Sequence, residues 1–128
     1  MTDFVFQSDH FPSEPEGDLD LCNGQPGSAL IQWLSNQLAQ AGYAMGEPIQ
    51  EDYGWGCWLQ APETVWLAVS FAGRENGLTE WHVSVVHAPW PFTRQWWRPA
   101  KGRQTAQAMA QILLRAVCAE IDPAARAD

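Results

Sequence analysis

"GWGCWLQAPETVWLAVSFAGRENGLTEWHVSVVHA", residues 54–88, decides the fold. Large apolar residues alternate with small or polar ones through three runs, 54–60, 64–72 and 79–88. A period of two marks strands with one covered face. The breaks, "APE" and "GRENGL", are turn-like and short enough for hairpins. The three runs therefore read as an antiparallel meander.

The same alternation sorts the side chains. Val65, Leu67, Val69 and Phe71 share one face of their strand. Trp81, Val83 and Val85 match them on the next, and Tyr53, Trp55, Cys57 and Leu59 on the one before. This is the more apolar set, so it is expected to form the covered core. The opposite face carries Asp52, Gly54, Gly56, Trp58, Trp66, Ala68, Ser70, His82 and Ser84. It has too few charges for a solvated face and too many polar groups for a buried one. A half-covered, concave surface fits that mixture. Gly54 and Gly56 bare their backbone on it, and glycine within a strand marks a bulge or a close approach by another group. Trp66 or an aromatic from a later segment is expected to lie there. Two other readings stay open. Trp58 and Trp66 could wall a ligand slot, or Glu51 and Asp52 could act in catalysis. Adjacent carboxylates on a strand point apart, so the last needs a bend at that point.

Helical stripes flank the meander. "SALIQWLSNQLAQAG" (28–42) puts Leu30, Ile31, Leu34, Leu38 and Ala41 on one face, with Ser28 as N-cap and Gly42 at the C′ position. "QTAQAMAQILLRAVCAEID" (104–122) does the same with Ala106, Met109, Leu113, Val117 and Ile121, and Pro123 ends it. "DFVFQ" (3–7) reads as a strand, and "YAMGEPIQ" (43–50) as a weak one kept to an edge by Pro48. The order β-α-β-β-β-β-α predicts a single α+β domain over 1–128. It is a two-layer sandwich: an antiparallel sheet of four to five strands with two helices on one face. Residues 8–27, with three Pro, three Gly and five acids, form a long acidic loop. Residues 89–103 form an aromatic and basic connector, whose three prolines exclude a long helix.

Charge is divided unevenly. Residues 1–73 hold ten acidic and no basic residues, and 74–128 hold five acidic and seven basic, so a net charge of −8 is split into −10 and +2. A chain this acidic repels phosphates, which argues against nucleic acid. The segment "RQWWRPAKGR" (94–103) does interleave bases with aromatics as single-strand binders do. On this acidic chain it reads as a connector whose arginines pair with the acidic half. No apolar run is long enough to span a membrane, and the N-terminus lacks a basic, then apolar, signal pattern. Cys22, Cys57 and Cys118 are scattered and odd in number, which fits reduced thiols and a cytoplasmic protein.

Motifs for chemistry are absent: there is no Walker A, GxGxxG, GxSxG or HExxH pattern, and no cofactor is implied. His82 and His87 are five apart on one strand and face opposite ways, so they cannot chelate together. His10 lies in the acidic loop. Cys57 falls on the core face, away from His82, and reads as a packed thiol.

Ser8, Asp9 and Phe11 in the acidic segment, Glu51, Asp52, Gly54 and Trp55 in "EDYGW", and Pro91, Phe92 and Arg94 in "PFTR" form a spaced pattern. It resembles a family of small acidic bacterial proteins of unassigned function that carry an EDxGW motif. The resemblance implies a bacterial cytosolic origin and one domain, and it implies no activity, cofactor or catalytic residue.

These features point to a non-enzymatic binding module, an immunity- or antitoxin-like neutraliser of a partner protein that carries positive charge. Interface cores favour Trp and Arg, and Arg94, Trp96, Trp97 and Arg98 concentrate them. Trp96 and Trp97 are adjacent and point apart in an extended chain, so at least one should keep an exposed face. The alternative is a small-molecule-binding protein or minor enzyme with a pocket around Asp52, Trp58, Trp66 and His82.

Overall fold

The computed structural model describes residues 1–13, 26–61, 63–87 and 99–128. The elements, in chain order, are β1 (Asp3–Ser8), α1 (Ser28–Gln40), β2 (Ile49–Glu51), β3 (Gly54–Leu59), β4 (Val65–Glu75), β5 (Leu78–His87), α2 (Pro99–Glu120) and β6 (Arg126–Ala127). The strands form one six-stranded antiparallel sheet in the order β2-β3-β4-β5-β1-β6. Both helices pack on one of its faces, giving the expected α+β two-layer architecture. No helix among the described residues is long and apolar enough to cross a membrane.

The meander forms where alternation places it. Asn76 and Gly77, both at positive φ, make the two-residue turn between β4 and β5. Positive φ at both turn positions matches the right-handed twist of the flanking strands. β1 enters the sheet beside β5, and its own outer edge is closed in two ways. β6 pairs with Phe4 and Val5, and further along the Gln7 N–H donates to the Asp122 carboxylate at 2.9 Å. Unpaired edge groups invite association with other chains, so this carboxylate blunts an exposed edge.

Phe4 and Phe6 of β1 join Trp55, Cys57, Leu59, Val65, Leu67, Val69, Trp81, Val83 and Val85 on the helix-covered face, all buried. Against them lie Leu30, Ile31, Leu34 and Leu38 of α1 and Ala106, Met109, Leu113 and Val117 of α2. Phe71 ends this row, half-exposed, where a bulge at Phe71/Gly73 carries β4 past the core. Its ring meets Trp81 edge-on at 6.2 Å.

Five local expectations are corrected. Tyr53 is not in the core: it sits in the β2–β3 turn, exposed, because a turn breaks the period of two. Ala41 is exposed as the C-cap of α1 rather than part of its stripe. Ser28 is the first helical residue, and Gly27 is the N-cap, with φ 130 and no side-chain capping bond. The reason is space: a Cβ on Gly27 would press on Trp55 and Val69 at 3.3 Å, so the helix enters over the sheet on bare backbone. α2 begins at Pro99, not at 104. Proline is tolerated at the first helical position, where its missing N–H would have no intrahelical partner. Finally, β6 is a sixth strand, too short to leave a pattern in sequence. Gly42 does end α1 as expected: the Tyr43 N–H bonds to the Leu38 carbonyl and the Gly42 N–H to that of Ala39, both at 3.0 Å.

Two measurable consequences arise here. Burial pushes the Cys57 thiol up from its ordinary 9.0 to about 11, against a smaller opposing pull from the Ser35 hydrogen bond. The folded chain thus keeps this proton where the unfolded chain releases it. The stabilisation is full below pH ~9 and is lost as pH rises through ~11, by about 2–3 kcal/mol in total. Denaturant unfolding at pH 8 and 10.5 should show this fall in the wild type, and a shallower one in Cys57→Ala. Gly102 supplies the second. A Cβ there would collide with the imidazole of His87. Gly→Ala within a helix ordinarily gains about 1 kcal/mol. Gly102→Ala should fall short of that gain, because the His87 ring has to shift to make room, and the change in melting temperature measures it.

Candidate functional site

"EDYGWGCW" (51–58) is a hairpin. Glu51 ends β2, Asp52 and Tyr53 turn the chain, and Gly54 opens β3, paired with Glu51. Gly54 has φ 154, a backbone conformation that favours glycine, and its missing side chain leaves room for the Val69 carbonyl of β4. Gly56 is bare for a different reason. The indole of Trp66, diagonal to it on β4, lies directly on its backbone where a Cβ would stand. Ala68, opposite Gly56, keeps the floor low beside it.

Seating Trp66 in this way builds a cluster. Its Nε1–H donates to the Tyr53 hydroxyl at 2.7 Å, tying β4 to the β2–β3 turn. Its ring meets that of Trp58, the residue opposite, at 4.6 Å and a 50° tilt. Glu51, Tyr53, Trp58, Trp66 and Val86 wall an open cleft of about 350 Å³ on the sheet face away from the helices. Tyr53 and Val86 stay 44% and 45% exposed, and Ile49 beside them 42%, so the apolar rim faces solvent. Burial pushes the Tyr53 phenol above its ordinary range; the Trp66 bond opposes the rise and the Glu51 charge adds to it. The Glu51 carboxylate thus acts electrostatically on the cleft wall.

The structure brings together Trp58 and Trp66 of the candidate residues, and it separates the others. Asp52 is exposed in the turn and does not line the cleft; Glu51 does, because it is the one that shares a face with Gly54 and Gly56. His82 is on the same sheet face but four residues along β5 from Val86, about 13 Å away. There its Nε2 stands 3.5 Å from Asp3 and 3.4 Å from Asp128, while the Ser84 hydroxyl donates to Asp3 at 3.0 Å. The pocket expected around Asp52, Trp58, Trp66 and His82 therefore forms at its Trp end only. Arg94, Trp96, Trp97 and Arg98, with most of the 89–103 connector and of the acidic loop, lie outside the described residues. Among the described residues, no group of three or more His, Cys, Asp or Glu side chains is placed to hold a metal ion.

Sequence reasoning missed Tyr53 and Val86 as cleft residues. The signal for Tyr53 was present: two residues between Glu51 and Gly54, with strand patterns on either side, is hairpin spacing. For Val86 the signal is the alternation itself: with Val83 and Val85 on the covered face, Val86 falls on the open one.

No family model, curated protein or solved structure matches this chain.

Proposed function

We propose that this chain is a non-enzymatic binding module that engages a partner protein through the open face of its sheet, centred on Trp58 and Trp66. The observation that carries it is the exposed aromatic cleft itself. Two Trp, a Tyr and a Val from the hairpin, β4 and β5 meet on the open face, where Gly56 leaves room for the Trp66 indole and Tyr53 bonds to it. Partly exposed indoles in a pre-formed cleft, rimmed by exposed Tyr53 and Val86, are what interface anchors require, because their burial on binding contributes most where a pocket receives the partner. The cleft is open and shallow, which suits a projecting side chain of a larger partner. A role in neutralising or regulating that partner is the form this takes for a small acidic chain.

A photo-crosslinking residue at Val86, on the rim of the cleft, tests the proposal against one at Gln107, on the outer surface of α2. In cells that make the protein, a discrete adduct from position 86 and none from 107 is the expected result. Adducts from 107 alone would move the interface to the helical layer.

A further inference from the structure

We propose that the cleft takes a proline-rich segment of the partner in the polyproline II conformation, with prolines three residues apart lying along Trp58, Trp66 and Val86. The inference rests on the binding-module reading above and names the chemistry of what that surface accepts.

Three observations carry it. The first is a row of side chains. Trp58 stands opposite Trp66, and Trp66 opposite Val86, on three neighbouring strands. Two strand spacings separate the ends of the row, about 9–10 Å. A polyproline II helix has three residues per turn and rises about 3.1 Å at each, so prolines at i and i+3 share a face and lie about 9 Å apart. One proline then rests at the Trp58 end and the other at Val86. An extended β segment repeats its face every second residue, about 7 Å apart, and misses that spacing. The second observation is the shape of the wall. The indoles of Trp58 and Trp66 meet at 4.6 Å and a 50° tilt, so nothing slides between them and a ligand lies on top. Proline brings a compact ring on a backbone that is already fixed, and aromatic-lined grooves take such segments for that reason.

The third is the hydrogen-bonding character of the cleft. The Tyr53 hydroxyl accepts the Trp66 N–H at 2.7 Å, and its own O–H proton has no acceptor among the described residues. A hydroxyl that accepts one bond donates a stronger one. The Nε1–H of Trp58 has no acceptor among the described residues either. Glu51, the carboxylate on the wall, already has a partner within the chain. The groups left to a ligand are therefore donors, and donors select carbonyl oxygens. A proline segment fits, because its carbonyls accept while its ring nitrogens carry no hydrogen to be satisfied. The net charge of −8 sets the flanks of that segment as basic rather than acidic.

The test titrates the intact chain with three acetylated, amidated peptides. The first is Lys-Pro-Ala-Ala-Pro-Lys. The second, Lys-Pro-Ala-Pro-Ala-Lys, moves one proline off the spacing, and the third replaces both prolines with alanine. The indole N–H signals of Trp58 and Trp66 are followed by ¹H–¹⁵N NMR. The expected result is saturable movement by the first peptide in the millimolar range. Trp58, which gains an acceptor, should shift further downfield than Trp66, which already has one. Both control peptides should bind at least about tenfold more weakly. Equal binding by either control would overturn the inference and leave the open face as an apolar anchor site. Movement confined to the signals of His82 and Ser84 would overturn it as well. If no peptide moves the indoles while position 86 still crosslinks to a partner, the proline inference fails and the binding surface stands.

Discussion

Gly54→Val should lower the melting temperature by about 10 °C or more, the largest effect of any single change in the hairpin. Two costs add. Gly54 has φ 154, which a β-branched residue does not adopt without strain, and its Cβ would be driven into the backbone carbonyl of Val69. That carbonyl belongs to the paired strand, so nothing can rotate aside. The cost is about 3 kcal/mol or more, and each kcal/mol is worth roughly 4 °C in a chain of this size. Gly56→Val should follow closely, since its side chain meets the Trp66 indole rather than a main-chain atom. The indole can leave, but only by giving up its packing and its bond to Tyr53. Glu51→Ala, at a half-exposed strand end, adds no side chain where backbone or an indole stands and should cost less than either valine change. Thermal melts of the three variants give the order directly. Valine variants that melt with the wild type would mean that the glycines are not there to make room.

Trp58→Ala separates binding from folding. Trp58 is partly exposed on the open face and contributes a wall to the cleft, while Trp66 is also structural through Gly56 and Tyr53. Removing Trp58 should therefore leave the fold intact, with a loss of about 1 kcal/mol from its contact with Trp66. Binding of the crosslinked partner should fall much further. A central aromatic anchor costs about 2 kcal/mol or more when truncated, which is roughly thirtyfold in Kd. His82→Ala, on the same face but outside the cleft, is the matched control and should change affinity less than threefold. The measurement is a Kd for each variant against the isolated partner. A Trp58→Ala protein that binds like the wild type would remove the cleft from the interface.

Much of this architecture is legible in the chain, and the illegible parts have physical causes. Alternation over 54–88 identifies the meander and its covered face because each strand buries one side only. The glycine pair announces a close approach, and Trp66 is the group that makes it. The failures fall where periodicity stops. A residue in a two-residue turn belongs to neither face, which is why Tyr53 moves from the expected core to the cleft. Proline is forbidden inside a helix but welcome at its first position, so Pro99 opens α2. Two residues, Arg126 and Ala127, cannot show a period at all. At the site, the face that each residue occupies is readable but its distance along the strand is not weighed. That is how His82 comes to be grouped with a cleft about 13 Å away. Between Glu51 and Asp52, only the position of the turn decides which carboxylate faces the rings.

The cleft exists because Trp66 lies against bare backbone at Gly56 and is held there by Tyr53. Proton NMR of the free protein tests it most directly. Strong nuclear Overhauser effects should connect both Gly56 Hα protons to the ring of Trp66. Those Hα signals should be shifted upfield by the indole, and Tyr53→Phe should perturb the Trp66 indole N–H signal. Gly56 Hα protons at ordinary shifts, with no contact to any indole, would contradict it.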